Sequence, residues 1–304
     1  MRSFLYLVKR NMMVYYRDKG NLFFSFLSML IILGLMLVFL GDMNITAITD
    51  LLDQFGGTGT EREKFEHASN LVVNWVVAGI IVVNCITIAN AVTGIMIADE
   101  EEHKLAAFMI TPMNRFAQIL SYTTAAGIMS MLFCSITLFT AEGFIWMQGG
   151  SFITVQDHIV FFGYLLVVVF FSVSLVFFLA QFVHSKSAYS GLSTVVGTLV
   201  GFLAAIYVPY GSLPEAAGNI LKHTPLFAAS SLFRDLFTKD IVKQTFDGVH
   251  NDVILEYREF MGIVIVNNDV VTTHMQQILF LLISGMVLLI FSFFMMQKRE
   301  LKDR

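Results

Sequence analysis

The sequence predicts an all-α integral membrane protein with six transmembrane helices, and three observations carry that reading. First, six stretches, residues 22–40, 71–98, 116–141, 159–183, 188–209 and 275–296, contain no Asp, Glu, Lys, Arg or His. A spanning helix needs roughly 20 apolar residues at about 1.5 Å of rise each, and each stretch meets that length. Second, hydrophobic residues make up 56% of the chain and charged residues 14%, against about 25% charged in globular proteins. In water such a chain would expose large apolar patches. Third, the basic residues are divided unequally. An even number of spans places both termini on one side. That side holds Arg2, Lys9, Arg10, Arg17, Lys19, Lys104, Arg115, Lys186, Lys298, Arg299, Lys302 and Arg304, most of the 19 Lys and Arg. The positive-inside rule then puts both termini in the cytoplasm and the chain in the cytoplasmic membrane. The net charge of -4 is too small to imply an acidic or basic partner, and no nucleic acid is expected.

The elements follow in order along a single domain, 1–304. Residues 1–21 form an amphipathic segment. Over residues 2–17, Arg2, Lys9, Arg10 and Arg17 share one helical arc, while Phe4, Leu5, Leu7, Val8, Met12, Val14 and Tyr15 fill the opposite side. Tyr6 and Met13 interrupt the basic arc and Asn11 the apolar one. Such a helix lies in the interface with its basic face toward headgroups, as a plain anchor or with a further role. The first span follows after Asp18-Lys19-Gly20-Asn21 and is read as uncleaved, because no small-x-small pattern follows it. Residues 41–70, with Gly56, Gly57, Gly59 and an acidic excess, form an external loop that is flexible or partly helical. Spans three and four join outside at Gln148–Ser151, and spans four and five inside around His184–Ser187. The segment 210–274 is external. Its part from Leu213 to Phe237 is too broken by Gly and Pro to span and too apolar for water. Short helices that dip into the outer leaflet and return satisfy both demands, with Pro225 in a first turn capped by Thr224. Ile263–Val266 leans toward β structure and ends at Asn267-Asn268.

The absences narrow the chemistry. The chain has no G-x-x-x-x-G-K-[ST] phosphate loop, H-E-x-x-H, C-x-x-C or G-x-S-x-G. No catalytic, cofactor or metal residue is assigned, and the chain is not expected to be an enzyme by itself. Cys85 and Cys134 both fall inside spans, which favours a small buried role over a disulfide or zinc site. No span holds an ionisable group, which disfavours a proton- or ion-coupled carrier. The inner segment 99–115 is different in kind. It reads as a short helix, acidic at its start and stopped at Thr111-Pro112. It is either a capped turn or a docking helix that presents Leu105, Phe108 and Met109 on one face to a cytoplasmic protein.

This segment, from Glu100 to Arg115, resembles the E-x-E-x-G-T-x-x-x-L-L-x-x-P-x-x-R signature of ABC-2-type (ABCG-like, type V) transporter permeases. The resemblance extends over nearly the whole chain: an amphipathic helix before span one, six spans with both termini inside, and Leu213-Pro214, Thr224-Pro225 and Arg234 before span six. His103-Lys104 stands where many members have Gly-Thr. The resemblance implies the membrane half of an ATP-driven exporter, paired with a second permease in a homodimer or heterodimer and surrounded by membrane lipid. ATP and Mg would be held by a separate ATPase subunit. Glu100, Glu101, Glu102, Leu105, Phe108, Met109, Pro112 and Arg115 become the coupling helix that docks the ATPase, residues 2–17 the connecting helix, and Leu213–Phe237 the re-entrant helices. Spans two and five would line a substrate path at a dimer interface through Asn84, Thr87, Asn90, Ser193, Thr194 and Thr198, unless these residues only pack helices. Gly197 and Gly201 stand at a spacing that permits close helix approach. Neutral lining suits hydrophobic drugs, antimicrobial peptides or lipid-like products better than polysaccharide or teichoic acid. A non-transporting sensory or assembly component, or more remotely a membrane-embedded transferase, would fit the same hydropathy.

Overall fold

A computed structural model of the chain describes residues 2–20, 22, 23, 27, 30, 34, 41–55, 59–104, 115–147, 153–267 and 270–302. Apart from five positions, the expected first span 22–40 lies outside the described residues, as do Leu105, Phe108, Met109 and Pro112 of the expected coupling helix.

The bundle is built around α3 (Glu61–Glu101). Its start is set by a capping box: the Thr60 hydroxyl accepts from the Glu63 amide, and the Glu63 carboxylate accepts from the Thr60 amide at 2.8 Å. Its most apolar stretch is 94% buried, against 17% for α10 (His274–Lys302). A helix apolar on every side must be enclosed by protein or by lipid. By these figures α3 is enclosed by its neighbours and α10 stands at the periphery. Around α3 pack α1 (Arg2–Arg17), α2 (Gly41–Gln54), α4 (Arg115–Met147), α5 (Val155–Ala180) and α6 (Lys186–Leu203). Small side chains let α4 approach α3 closely. Cys134 Sγ sits 3.5 Å from Cys85 Sγ, both thiols free and buried, and the Asn84 amide donates to the Thr137 hydroxyl at 3.0 Å.

Among the described residues four helices are long and apolar enough to cross a membrane: α3, α4, α5 and α10. They contain the expected spans 71–98, 116–141 and 275–296, and 159–183 except its last three residues. The fifth departs further. α6 stops at Leu203 rather than 209, and Ala205 turns the chain at φ 50°. Gly201 serves that turn. A Cβ there would lie 2.1 Å from the Tyr207 ring, which folds back over it, while Gly197 has nothing within 4 Å. Gly201 thus admits an aromatic ring of its own chain.

The end of the bundle away from α1 is capped by short helices. Within the expected loop 41–70, which the sequence allows to be partly helical, α2 covers Gly41–Gln54 and α3 already begins at Glu61. α2 packs Ile48 and Leu52 on α3 and is tied to it by Lys64–Asp53. After a 3-10 turn at Tyr210–Ser212 come α7 (Glu215–Lys222) and α8 (Pro225–Thr245). Thr224 caps α8 by accepting from the Phe227 amide at 3.3 Å, with Pro225 in the first turn, as the sequence predicts. α9 (Asn251–Phe260) and a two-stranded antiparallel hairpin, β1 (Val266–Asn267) and β2 (Val270–Val271), complete the cap.

Candidate functional site

A polar assembly interrupts the apolar bundle at each end. At the α1 end, three helices meet on one carboxylate. Asp99, in the last turn of α3, is 2% exposed. Arg10 of α1 grips it with both guanidinium ends, one through Nη2 to Oδ1 at 3.0 Å, and the Tyr122 hydroxyl of α4 donates to Oδ2 at 2.7 Å. Beside them Asn11, fully buried, donates to the Ser121 hydroxyl at 3.2 Å. A bidentate Arg–carboxylate pair fixes orientation as well as distance. Arg10 therefore departs from the expected basic face toward headgroups and turns inward. The interior face of α1 is Val8, Asn11 and Tyr15, with the Tyr15 ring edge-on to Phe133 at 5.8 Å.

Next to this assembly a cleft of about 650 Å³ opens between α1, α3 and α6. Thr87, Asn90 and Ser193 line its deeper part. Asn90 accepts the Tyr189 hydroxyl at its backbone carbonyl (2.7 Å) and side-chain oxygen (2.8 Å). Gly94 makes the α3–α6 approach possible there, because a Cβ would lie 2.9 Å from the Tyr189 ring. The other residues expected on the path do not line this cleft. Asn84 is buried between α3 and α4. Thr194 and Thr198 are exposed on another face of α6, donating to the carbonyls of Ser190 (3.1 Å) and Thr194 (2.9 Å).

Charges rim the mouth of this cleft. The Glu101 carboxylate accepts from the Lys186 amide at 3.0 Å, and Glu102 pairs with Lys104 and Lys186. Hydrogen bonds from Lys104 and then Lys186, with their charges, hold the Glu102 carboxyl down at about 2. These links join the end of α3 to the start of α6. Glu100 lies in the same last turn of α3, one residue before its end at Glu101, and Arg115 is the first residue of α4. His103 stands at φ 55°, the left-handed region that favours glycine. At the position where the resemblance expects Gly, this chain keeps a glycine-like turn with a histidine.

At the other end, Arg234 of α8 is fully buried. Its guanidinium stacks 4.3 Å over the Trp75 ring and donates to the carbonyls of Ala205 (2.6 Å) and Gly262 (3.4 Å). Ser230 and Ser231 donate to Ala204 and Ile263 at 2.9 and 2.8 Å, and Trp75 Nε1 to Met261 at 2.8 Å. The carbonyls freed where α6 ends are thus satisfied by α8 side chains, as buried irregular backbone requires. Burial alone pulls Arg234 down to about 9, which leaves it cationic at neutral pH.

Sequence reasoning did not assign Arg10, Asp99, Tyr122, Tyr189 or the Trp75–Arg234 stack to a site. One signal was present: Asn11, a polar residue on an apolar helical face, marks where that face meets protein instead of lipid.

A family model described as ABC-2 family transporter protein matches residues 53–294. The chain belongs to the ABC-2 transporter family. It is a multi-pass membrane protein and a permease subunit of an ABC transporter, and such permease domains generally partner with ATPase subunits. No curated protein and no solved structure matches the chain.

Proposed function

We infer that this permease works as the membrane half of an ATP-driven exporter of hydrophobic or amphipathic compounds. It has six spans, both termini in the cytoplasm of a cell bounded by its cytoplasmic membrane, and a second permease beside it. The type V, ABCG-like subtype is part of this reading. ATP and Mg belong to a separate ATPase subunit, docked on residues 100–115.

The observation that carries the reading is the position of the α1–α3–α6 cleft. It opens beside Glu101 and Glu102, where α3 leads into the docking segment. A displacement of that segment by the ATPase would act on both walls of the cleft, since Glu101 and Glu102 bond the start of α6. Thr87, Asn90 and Ser193 offer neutral hydrogen-bonding groups amid apolar lining, which suits an amphipathic passenger. Paired charges at the mouth leave no surplus sign to hold a strongly charged one.

The test is co-expression with its ATPase subunit, followed by Phe108→Asp with Met109→Asp, and separately Asn90→Trp with Ser193→Trp. The first pair is expected to abolish copurification of the ATPase. The second is expected to leave copurification intact and abolish efflux in a panel of hydrophobic dyes and antimicrobial peptides. Unchanged copurification in the first pair would remove the docking role and favour a non-transporting membrane component.

A further inference from the structure

The Arg10–Asp99–Tyr122 assembly is unlike an ordinary surface ion pair. Asp99 is buried, lies at a helix C-terminus where the macrodipole disfavours an anion, and is held by side chains from two other helices. A buried pair of this kind contributes little net stability against an apolar substitute, yet breaking one half leaves an uncompensated charge. What it does supply is geometry. Arg10 fixes α1 on the last turn of α3, Tyr122 fixes that turn on α4, and Asn11–Ser121 adds a second tie between α1 and α4. Glu101 and Glu102, two and three residues after Asp99, reach across to Lys186 of α6 by hydrogen bonds and ion pairs at the exposed rim. Solvent-exposed pairs are individually weak. The joint to α1 and α4 is therefore stiff, while the joint to α6 is loose at its rim and holds further along at the buried Tyr189–Asn90 contact, which is left as the hinge.

We propose that Arg10, Asp99 and Tyr122 form a latch that makes α1 and the adjoining ends of α3 and α4 one rigid lever, which swings against α6 to open and close the cleft. The three are positioning residues, and none needs to touch the passenger. This rests on the exporter reading. It adds which parts move together, and that Asp99 carries the force from the docking segment into α1.

The experiment uses the full chain in complex with its ATPase, spin-labelled at two pairs of exposed positions. Lys9→Cys with Leu120→Cys spans the latch, and Lys9→Cys with Ser187→Cys spans the cleft. The native Cys85 and Cys134 are buried away from the reagent. Between the nucleotide-free and ATP–vanadate states, the latch distance is expected to stay single and unchanged while the cleft distance shifts. Asp99→Asn keeps the size, removes the charge and leaves one acceptor oxygen where the carboxylate offers two. It is expected to broaden the latch distance, abolish the cleft shift and lower ATP turnover at least about tenfold, as a misaligned element distant from the chemistry can. Arg10→Asp with Asp99→Arg is expected to restore part of both.

A latch distance that changes with nucleotide would overturn the lever. So would an Asp99→Asn complex whose cleft shift and turnover match the parent. Failure of the exporter reading looks different: no ATPase complex forms, or nucleotide moves neither pair while the latch distance stays narrow.

Discussion

At Arg234 a cation sits in a buried site against an indole face and two carbonyls. Its cost is met in part locally, with the buried Nε left without a hydrogen-bond partner among the described residues. The ring quadrupole attracts the guanidinium by about 2 kcal/mol or more when desolvated, and each carbonyl left unpaired would cost about 1–3 kcal/mol. Arg234→Met keeps most of the volume and removes both compensations. It is expected to destabilise the protein by several kcal/mol on that scale. Lysine is not expected to rescue it, because a compact ammonium cannot stack and fork at once. Melting temperatures of the detergent-solubilised variants check this, and a wild-type value for Arg234→Met would refute it. Gly262 belongs to the same site: it stands at φ 64°, and a Cβ there would come within 2.9 Å of Arg234 Nη1. Trp75, Arg234 and Gly262 lie far apart in the sequence, in a span, a proline-marked segment and a loop. No spacing rule joins them, and only the end of α6 at Leu203 creates the carbonyls that need a donor.

At the scale of elements, hydropathy is the most legible property and helix ends the least. The cores of α3, α4, α5 and α10 were readable because charge is excluded over their whole length. The cap of α8 was readable because Thr224-Pro225 is a local signal. The end of α6 was not, because Ala204, Ala205 and Ile206 continue the apolar run and the break depends on Tyr207 and α8. The face α1 turns to the bundle was only half legible: periodicity gives two faces, and the partner Asp99 decides which way Arg10 points. The α3–α6 joint invites a pH test. Glu102 titrates at about 2 in the fold against an ordinary 4.5. A depressed folded value means that the contribution is complete above about 4.5 and is lost as pH falls toward about 2. The difference in melting temperature between the parent and Glu102→Gln is therefore expected to be constant from pH 7 to about 5 and to shrink steadily below that. A difference that grows on acidification would show that Lys104 and Lys186 do not hold this carboxylate.

For the whole molecule, the polar assemblies divide the labour between the two ends of the bundle. The Arg234 site and the packed short helices close one end around backbone that must not open, because its carbonyls have no water to turn to. The other end holds the cleft, the latch and the Glu102–Lys186 pair across the cleft mouth, which can exchange partners with solvent at little cost. Movement therefore belongs to the α1 end and rigidity to the α8 end, and under the exporter reading the first faces the cytoplasm. That orientation has a direct consequence for labelling. In a background where Cys85 and Cys134 are replaced by Ala, single cysteines at Lys9 and Ser187 are expected to react with a membrane-impermeant maleimide in inside-out vesicles and to be protected in intact cells. Arg62→Cys, exposed at the start of α3, is expected to show the reverse. Ser193→Cys, within the cleft, is expected to react from the same side as Lys9 but more slowly, and to be slowed further by a transported dye that occupies the cleft. Reaction of Ser193→Cys only from the side of Arg62 would place the cleft mouth on the outer surface and end the exporter reading, whatever the ATPase does.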